Sequence, residues 1–149
     1  MVNTIEIRVN GATVFETQEA PVPYQQDATR DADDACQHFQ SIRNRPQEVF
    51  AMTTFNGANQ PIKTRWITTG LLDSNQVHPR EVFAPAIQDR ASGIIVAHNH
   101  PSGTLEASME DLAITKRLVK AGDILGIRVL DHLILTKSGH ISLKQKGAM

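Results

Sequence analysis

The sequence predicts an α/β (α+β) fold, a mixed β-sheet flanked by helices, on three observations. Strand-like and helix-like segments alternate through the second half of the chain, the pattern that layered domains require. A short unbroken apolar run, Gly93-Ile94-Ile95-Val96-Ala97, follows a helical stretch and has the character of a strand buried on both faces. Hairpin-like segments at both ends supply antiparallel pairing. With 149 residues the expectation is one domain, 1–149, with 1–44 as an N-terminal hairpin and helix extension.

Residues 4–16 alternate Ile5, Ile7 and Val9 ahead of Asn10-Gly11, and Val14 and Phe15 follow, which reads as a two-stranded hairpin. A polar connector with two prolines comes next, residues 19–26. Asp27 to Arg43 is polar apart from Ala32, Ala35, Cys36, Phe39 and Ile42, whose spacing of three and four predicts one helix ending before Pro46. Residues 48–54 and 62–70 are rich in β-branched and aromatic side chains and are joined through Asn56-Gly57, so they read as paired strands. His78-Pro79-Arg80-Glu81 opens a helix reaching about Ala91, with Pro85 as an internal disturbance.

The apolar run 93–97 ends directly in His98-Asn99-His100-Pro101-Ser102-Gly103. Ser108 to about Ala121 reads as an amphipathic helix, with Leu112, Leu118 and Val119 inward, Glu110, Lys116, Arg117 and Lys120 outward, and Gly122 as the stop. Strands over 129–136 and 140–143, around Ser138-Gly139, close the chain.

Fifteen basic and sixteen acidic residues give a net charge of -1, which excludes a global positive field for nucleic acid. A single cysteine, Cys36, excludes an internal disulfide framework and a Cys-rich zinc site. No run approaches the roughly 18 apolar residues of a membrane span, and the N-terminus lacks the apolar core of a signal peptide. A cytoplasmic location with no membrane partner is the expectation.

The chemistry concentrates between residues 98 and 111. His98 and His100 stand at i and i+2 on extended backbone, so both imidazoles leave the strand on one side, close enough to share a metal. Pro101 stops the strand there, and eleven residues after His100 the carboxylate of Asp111 falls in the first turn of the next helix. Two neutral imidazoles and a carboxylate suit one Zn²⁺, which in catalytic sites keeps a fourth position for water and lowers its pKa to about 7. A carboxylate must then take the water proton and pass it to a leaving amine; Glu48, at the start of an inner strand, is the candidate. Glu81, Glu106 and Glu110 are its rivals. Ser108 is placed to donate a hydrogen bond to the oxyanion.

Plainer readings compete. Ser108 and Asp111 also match a helix capping box, in which Asp111 merely reaches back to the helix start. Asp131-His132 within an apolar strand reads as a structural hydrogen-bonding pair, and His38, His78 and His140 receive no role. Trp66 is core or an interface anchor, and Lys116, Arg117 and Lys120 form a solvated helix face. The contiguous triplet His-Asn-His gives no support to an HNH nuclease, whose residues are dispersed over a hairpin and helix.

The string from His98 to Asp111 has the form H-x-H-x7-S-x2-D, which resembles the JAMM motif of MPN-domain zinc metalloproteases. Residues 78–118 and 125–135 are similar to the C-terminal domain of bacterial RadC-type proteins, and the likeness covers about Arg45 to Leu143. This resemblance implies a cytidine-deaminase-like sheet, metal ligands His98, His100 and Asp111, the catalytic glutamate Glu48 and the oxyanion-assisting Ser108. It implies one Zn²⁺ per chain and hydrolysis of a peptide or isopeptide bond in a peptide or protein substrate, modifier conjugates included. Full-length proteins of that type carry a helix-hairpin-helix DNA-binding region ahead of this domain, where 1–44 reads instead as a hairpin and one helix. The alternatives are a DNA-repair-associated protein and a protein-binding module that keeps the fold without chemistry.

Overall fold

The computed structural model describes residues 2–9, 12–19, 27–70 and 77–149. The elements in chain order are β1 (Val2–Val9), β2 (Ala12–Glu19), α1 (Ala32–Gln37), α2 (Gln40–Arg43), β3 (Val49–Phe55), β4 (Pro61–Thr69), α3 (Pro79–Gln88), β5 (Gly93–Asn99), α4 (Met109–Leu125), β6 (Arg128–Leu135) and β7 (His140–Ser142). Strands β1 and β2 pair antiparallel with Val9 opposite Ala12, the expected hairpin. Its Asn10-Gly11 turn and residues 20–26 of the connector lie outside the described residues.

The other five strands form one mixed sheet in the order β4-β3-β5-β6-β7. Only β5 and β6 run parallel, and they are joined by the α4 crossover, as parallel neighbours require. Alternation along β5 builds both sides of the core: Ile95 and Ala97 pack with α1 and α2, while Ile94 and Val96 pack with α3 and α4. Every residue of β5 is buried, as the unbroken apolar run predicts. Among the described residues no helix is long and apolar enough to cross a membrane.

Four local expectations are corrected. The single helix over Asp27–Arg43 is two short ones, because Asp31 caps α1 through the Asp34 amide at 2.9 Å and the chain tightens into i to i+3 bonds at His38 and Phe39. Its apolar face is nevertheless as read, with Ala32, Ala35, Cys36, Phe39 and Ile42 all buried. The helix expected over 78–91 is shorter: the His78 ring nitrogen accepts the Arg80 amide, and α3 stops at Gln88, one turn after Pro85 removes an amide donor.

Gly122 does not end α4, which runs to Leu125 and closes on Gly126 in the left-handed region at φ 71°. Gly122 is buried inside the helix, where a Cβ would collide with the Ile127 carbonyl oxygen. The inward face of α4 is Asp111, Ile114, Thr115, Leu118 and Gly122, whereas Leu112 and Val119 are half-buried. Two polar side chains on the buried stripe signal that this face does more than pack.

Candidate metal centre

His98 is the sixth residue of β5 and points to the α3/α4 side, following Ile94 and Val96 at every second position. His100 lies just past the strand; its backbone amide still bonds the Leu135 carbonyl at 2.8 Å, so the extended geometry persists and the second imidazole returns to the same side. The two Nε2 atoms are 2.9 Å apart. Asp111, at the third position of α4, brings Oδ1 to 3.1 Å from His98 Nε2 and Oδ2 to 3.4 Å from His100 Nε2. His98, His100 and Asp111 thus come together as a possible metal site, the one such group found among the described residues.

The capping box is also present. The Ser108 hydroxyl accepts the Asp111 amide at 3.1 Å, and Asp111 Oδ2 accepts the Ser108 amide at 2.8 Å. The cap and the site are therefore compatible: Oδ2 takes the cap amide while also lying near His100, and Oδ1 is turned to His98.

Hydrogen bonds assign the tautomers. The Thr115 hydroxyl donates to the Asp111 carbonyl at 2.6 Å, so its oxygen must accept from His132 Nδ1 at 2.7 Å. His132 Nε2 is then an acceptor for His98 Nδ1 at 2.8 Å, which leaves His98 Nε2 with a bare lone pair. His100 Nδ1 donates to the Thr104 carbonyl at 2.7 Å, which turns its Nε2 lone pair to the same point when the ring is neutral. Phe50 lies parallel to the His98 ring at 6.2 Å and edge-on to His132 at 5.7 Å, so packing holds both orientations.

Three electron-rich atoms facing one point repel unless a cation lies between them. Two imidazole nitrogens 2.9 Å apart and a carboxylate that offers Oδ1 to His98 and Oδ2 to His100, with one donor atom from each residue within 4.8 Å of the others, make a nitrogen and oxygen donor set of the kind that zinc takes. The donor set fits a zinc ion. In the metal-free chain the hydrogen bond and charge of the Asp111 carboxylate raise the His100 pKa above its ordinary value despite the opposing effect of burial. Burial pushes the Asp111 carboxyl upward, but the adjacent His100 and His98 rings and the hydrogen bond from the Ser108 amide outweigh it and hold the group well below the usual carboxylate range. His132 is completely buried, and that burial pushes its pKa well down, consistent with a neutral ring that passes one hydrogen bond onward.

The centre opens into a cleft of about 430 Å³ lined by Glu48, His100, Ser102, Thr104, Glu106, Ser108, Glu110 and Asp111 among others. Glu48, half-buried one residue before β3, is close enough for its charge to help raise the His100 pKa. Of its rivals, Glu106 and Glu110 line the same cleft but are exposed, while Glu81 pairs with Arg80 at 3.3 Å on α3. A second cleft of about 410 Å³, between α1 and β6, contains Asp131 and Lys144 but no histidine. Donor chemistry, not size, distinguishes the two.

Asp131 is structural, accepting the His132 amide at 2.7 Å and the Ser142 hydroxyl at 2.6 Å. His132 is structural as well, yet the group it holds is a candidate metal ligand, a connection the sequence reading missed along with Thr115. The signal that would have found it is register: Val96 pairs with His132 across the parallel strands, which sets His132 beside His98 on the same face.

A mixed sheet flanked by helices, with a His-x-His pair at the end of an inner strand and an aspartate opening the next helix, defines a JAB (MPN) type of domain. The chain belongs to the RadC-like JAB domain family, whose sequence model matches residues 29–148. That span starts ahead of α1, so the likeness is broader than residues 45–143.

The chain is similar to a UPF0758 protein of Methanospirillum hungatei, 56% identical over 106 residues, covering 71% of this chain and 47% of the relative. It is also similar to UPF0758 proteins of Caldanaerobacter subterraneus, 49% identical over 109 residues (73% and 47%), and Rubrobacter xylanophilus, 45% identical over 108 residues (72% and 47%). The chain spans about half the length of these curated relatives. Membership in the family is compatible with metal-dependent hydrolysis.

Proposed function

We propose that this chain is a zinc-dependent metallopeptidase or isopeptidase that hydrolyses an amide bond in a peptide or protein substrate, with a modifier conjugate as the isopeptide case. The observation that carries the reading is the convergence of two imidazole lone pairs and a carboxylate oxygen on one point at the floor of an open cleft. His98, His100 and Asp111 would hold one zinc ion per chain. When bound, zinc supplies Lewis acidity to the scissile carbonyl and lowers the pKa of the attacking water.

The chain's own residues do the rest. Glu48 faces the cleft near His100 and takes the proton from the attacking water, then delivers it to the nitrogen of the departing amine. The Ser108 oxygen already accepts the Asp111 amide, and its hydroxyl proton serves the oxyanion that develops on the substrate carbonyl. Asp111 stays ionised throughout, because its cap and histidine contacts favour the charged form.

The test is turnover of a fluorogenic peptide and isopeptide panel by the full chain, stripped with chelator and reloaded with zinc. Activity should vanish on stripping and return on reloading. Glu48→Gln should lower kcat by about 10²–10⁴-fold while retaining zinc. A Glu48→Gln variant that turns over as fast as the parent removes Glu48 from the mechanism, and a zinc-loaded parent that cleaves nothing in the panel removes the peptidase reading.

A further inference from the structure

Asn99 stands between the two histidines yet faces the other way. Alternation along β5 puts it on the α1/α2 side, opposite His98, and it is fully buried. A buried primary amide must use its donors and its acceptor, and here all go to one short segment of backbone. Its Oδ1 accepts the Val49 amide at 2.7 Å, and its Nδ2 donates to the Gln47 carbonyl at 3.0 Å and the Arg45 carbonyl at 3.2 Å. Those three backbone groups bracket Glu48.

The ladder explains why a side chain is needed there. Strands β3 and β5 pair from Phe55 opposite Gly93 up to Phe50 opposite His98, and the Asn99 side chain takes the Val49 amide where the backbone pairing ends. On the other flank the Glu48 carbonyl accepts the Gly70 amide at 2.8 Å, continuing the β3/β4 ladder. Glu48 thus has its carbonyl tied to one neighbouring strand and the peptides on both sides of it tied to the other, through a residue that is covalently part of the His98-His100 unit.

We propose that Asn99 is a positioning residue that locks the backbone around Glu48 to the metal-ligand strand, so that the distance from the Glu48 carboxylate to the metal is set by one side-chain amide. The inference rests on the Glu48 role proposed above. It assigns the two halves of the His-Asn-His triplet to opposite faces of one strand: the imidazoles serve the metal, and the amide serves the base. A shorter side chain at 99 leaves the ligands in place and frees the base.

The test compares the full parent chain with Asn99→Ala and Asn99→Ser, by two measurements that need no substrate. Amide hydrogen exchange on the metal-free protein reads the clamp itself. In the parent, Val49 should exchange as slowly as the interior of β3; in both variants it should exchange about tenfold faster or more, while Ile95 and Val96 in β5 stay protected. The parent measurement stands even if a variant fails to fold, and a freely exchanging Val49 in the parent overturns the proposal.

Cobalt(II) loading then reads the position of the base, with carboxyl-labelled glutamate and the Glu48 resonance assigned through Glu48→Gln. At equal cobalt per chain, paramagnetic relaxation of the Glu48 carboxyl carbon should be strong in the parent and several-fold weaker in the variants. Equal relaxation at equal cobalt content overturns the proposal. If the parent takes up no cobalt, the metal reading fails by itself, and the Val49 exchange rate in Asn99→Ala still decides the clamp, an unchanged rate overturning it.

Discussion

Asp111 shows how one residue can satisfy a structural rule and a chemical one together. Its sequence neighbourhood is a capping box, and the cap is formed, with the Ser108 amide on Oδ2 and the Asp111 amide on the Ser108 oxygen. The same geometry delivers Oδ1 to His98. The alternatives posed by the sequence, cap or ligand, are not exclusive, because a carboxylate has acceptor sites for both. The protonation states follow from this cluster. His100 is raised above its usual value in the metal-free chain, so the stabilisation from its contact with Asp111 is complete below about pH 6.5 and is lost as pH rises through the raised folded value. A metal needs the neutral ring, so zinc affinity should weaken as pH falls through that same range. Calorimetric titration with zinc near pH 6.5 in buffers of different ionisation enthalpy should show release of about one proton per zinc. No proton release there would mean that His100 is already neutral in the free chain. The Thr115-His132-His98 chain predicts a second effect: His132→Ala should lower zinc affinity about 10–100-fold while His98, His100 and Asp111 remain in place, measured by competition with a chromogenic chelator.

At the level of elements, the sequence was most legible where periodicity and burial agree and least where a glycine or proline serves packing. The all-apolar run 93–97 was readable as a doubly covered strand because nothing else explains so many adjacent apolar side chains. The strand-turn-helix unit carrying His98, His100 and Asp111 was readable because its spacing is local. Gly122 was misread as a stop since glycine at a helix end and glycine at a close contact look identical in sequence. Only the fold shows the Ile127 carbonyl turning back onto it. The two roles make opposite predictions. Helix propensity alone says that Gly122→Ala should stabilise by about 1 kcal/mol. The collision of an added Cβ with the Ile127 carbonyl oxygen says that it should instead destabilise, by about 1–3 kcal/mol as for other overpacked sites, in chemical denaturation of the full chain. A more stable Gly122→Ala variant would show that the end of α4 can shift away from the turn at low cost.

Over the whole molecule, the site is a product of long-range topology. Glu48 is separated from the His98-His100 pair by some fifty positions, and it comes near His100 because β3 and β5 are antiparallel neighbours with Phe50 opposite His98. His132 meets His98 because the α4 crossover brings β6 alongside β5 in parallel. Neither pairing is encoded in local spacing, which is why Glu48 stands among several glutamates in the sequence, why His132 reads there only as structural, and why Asn99 receives no role. The apolar patterning that does appear in the sequence builds the two faces of the sheet, and four of the buried polar residues among them serve the site: His98, His132 and, from α4, Thr115 on one side, and Asn99 on the other. The account stands on the metal. Elemental analysis of purified full-length chain after exposure to zinc and removal of the excess, with His100→Ala measured alongside, tests it most directly. About one zinc per parent chain and a large loss in His100→Ala is the predicted result; a parent chain without bound metal, or a His100→Ala chain that binds as much as the parent, would contradict it.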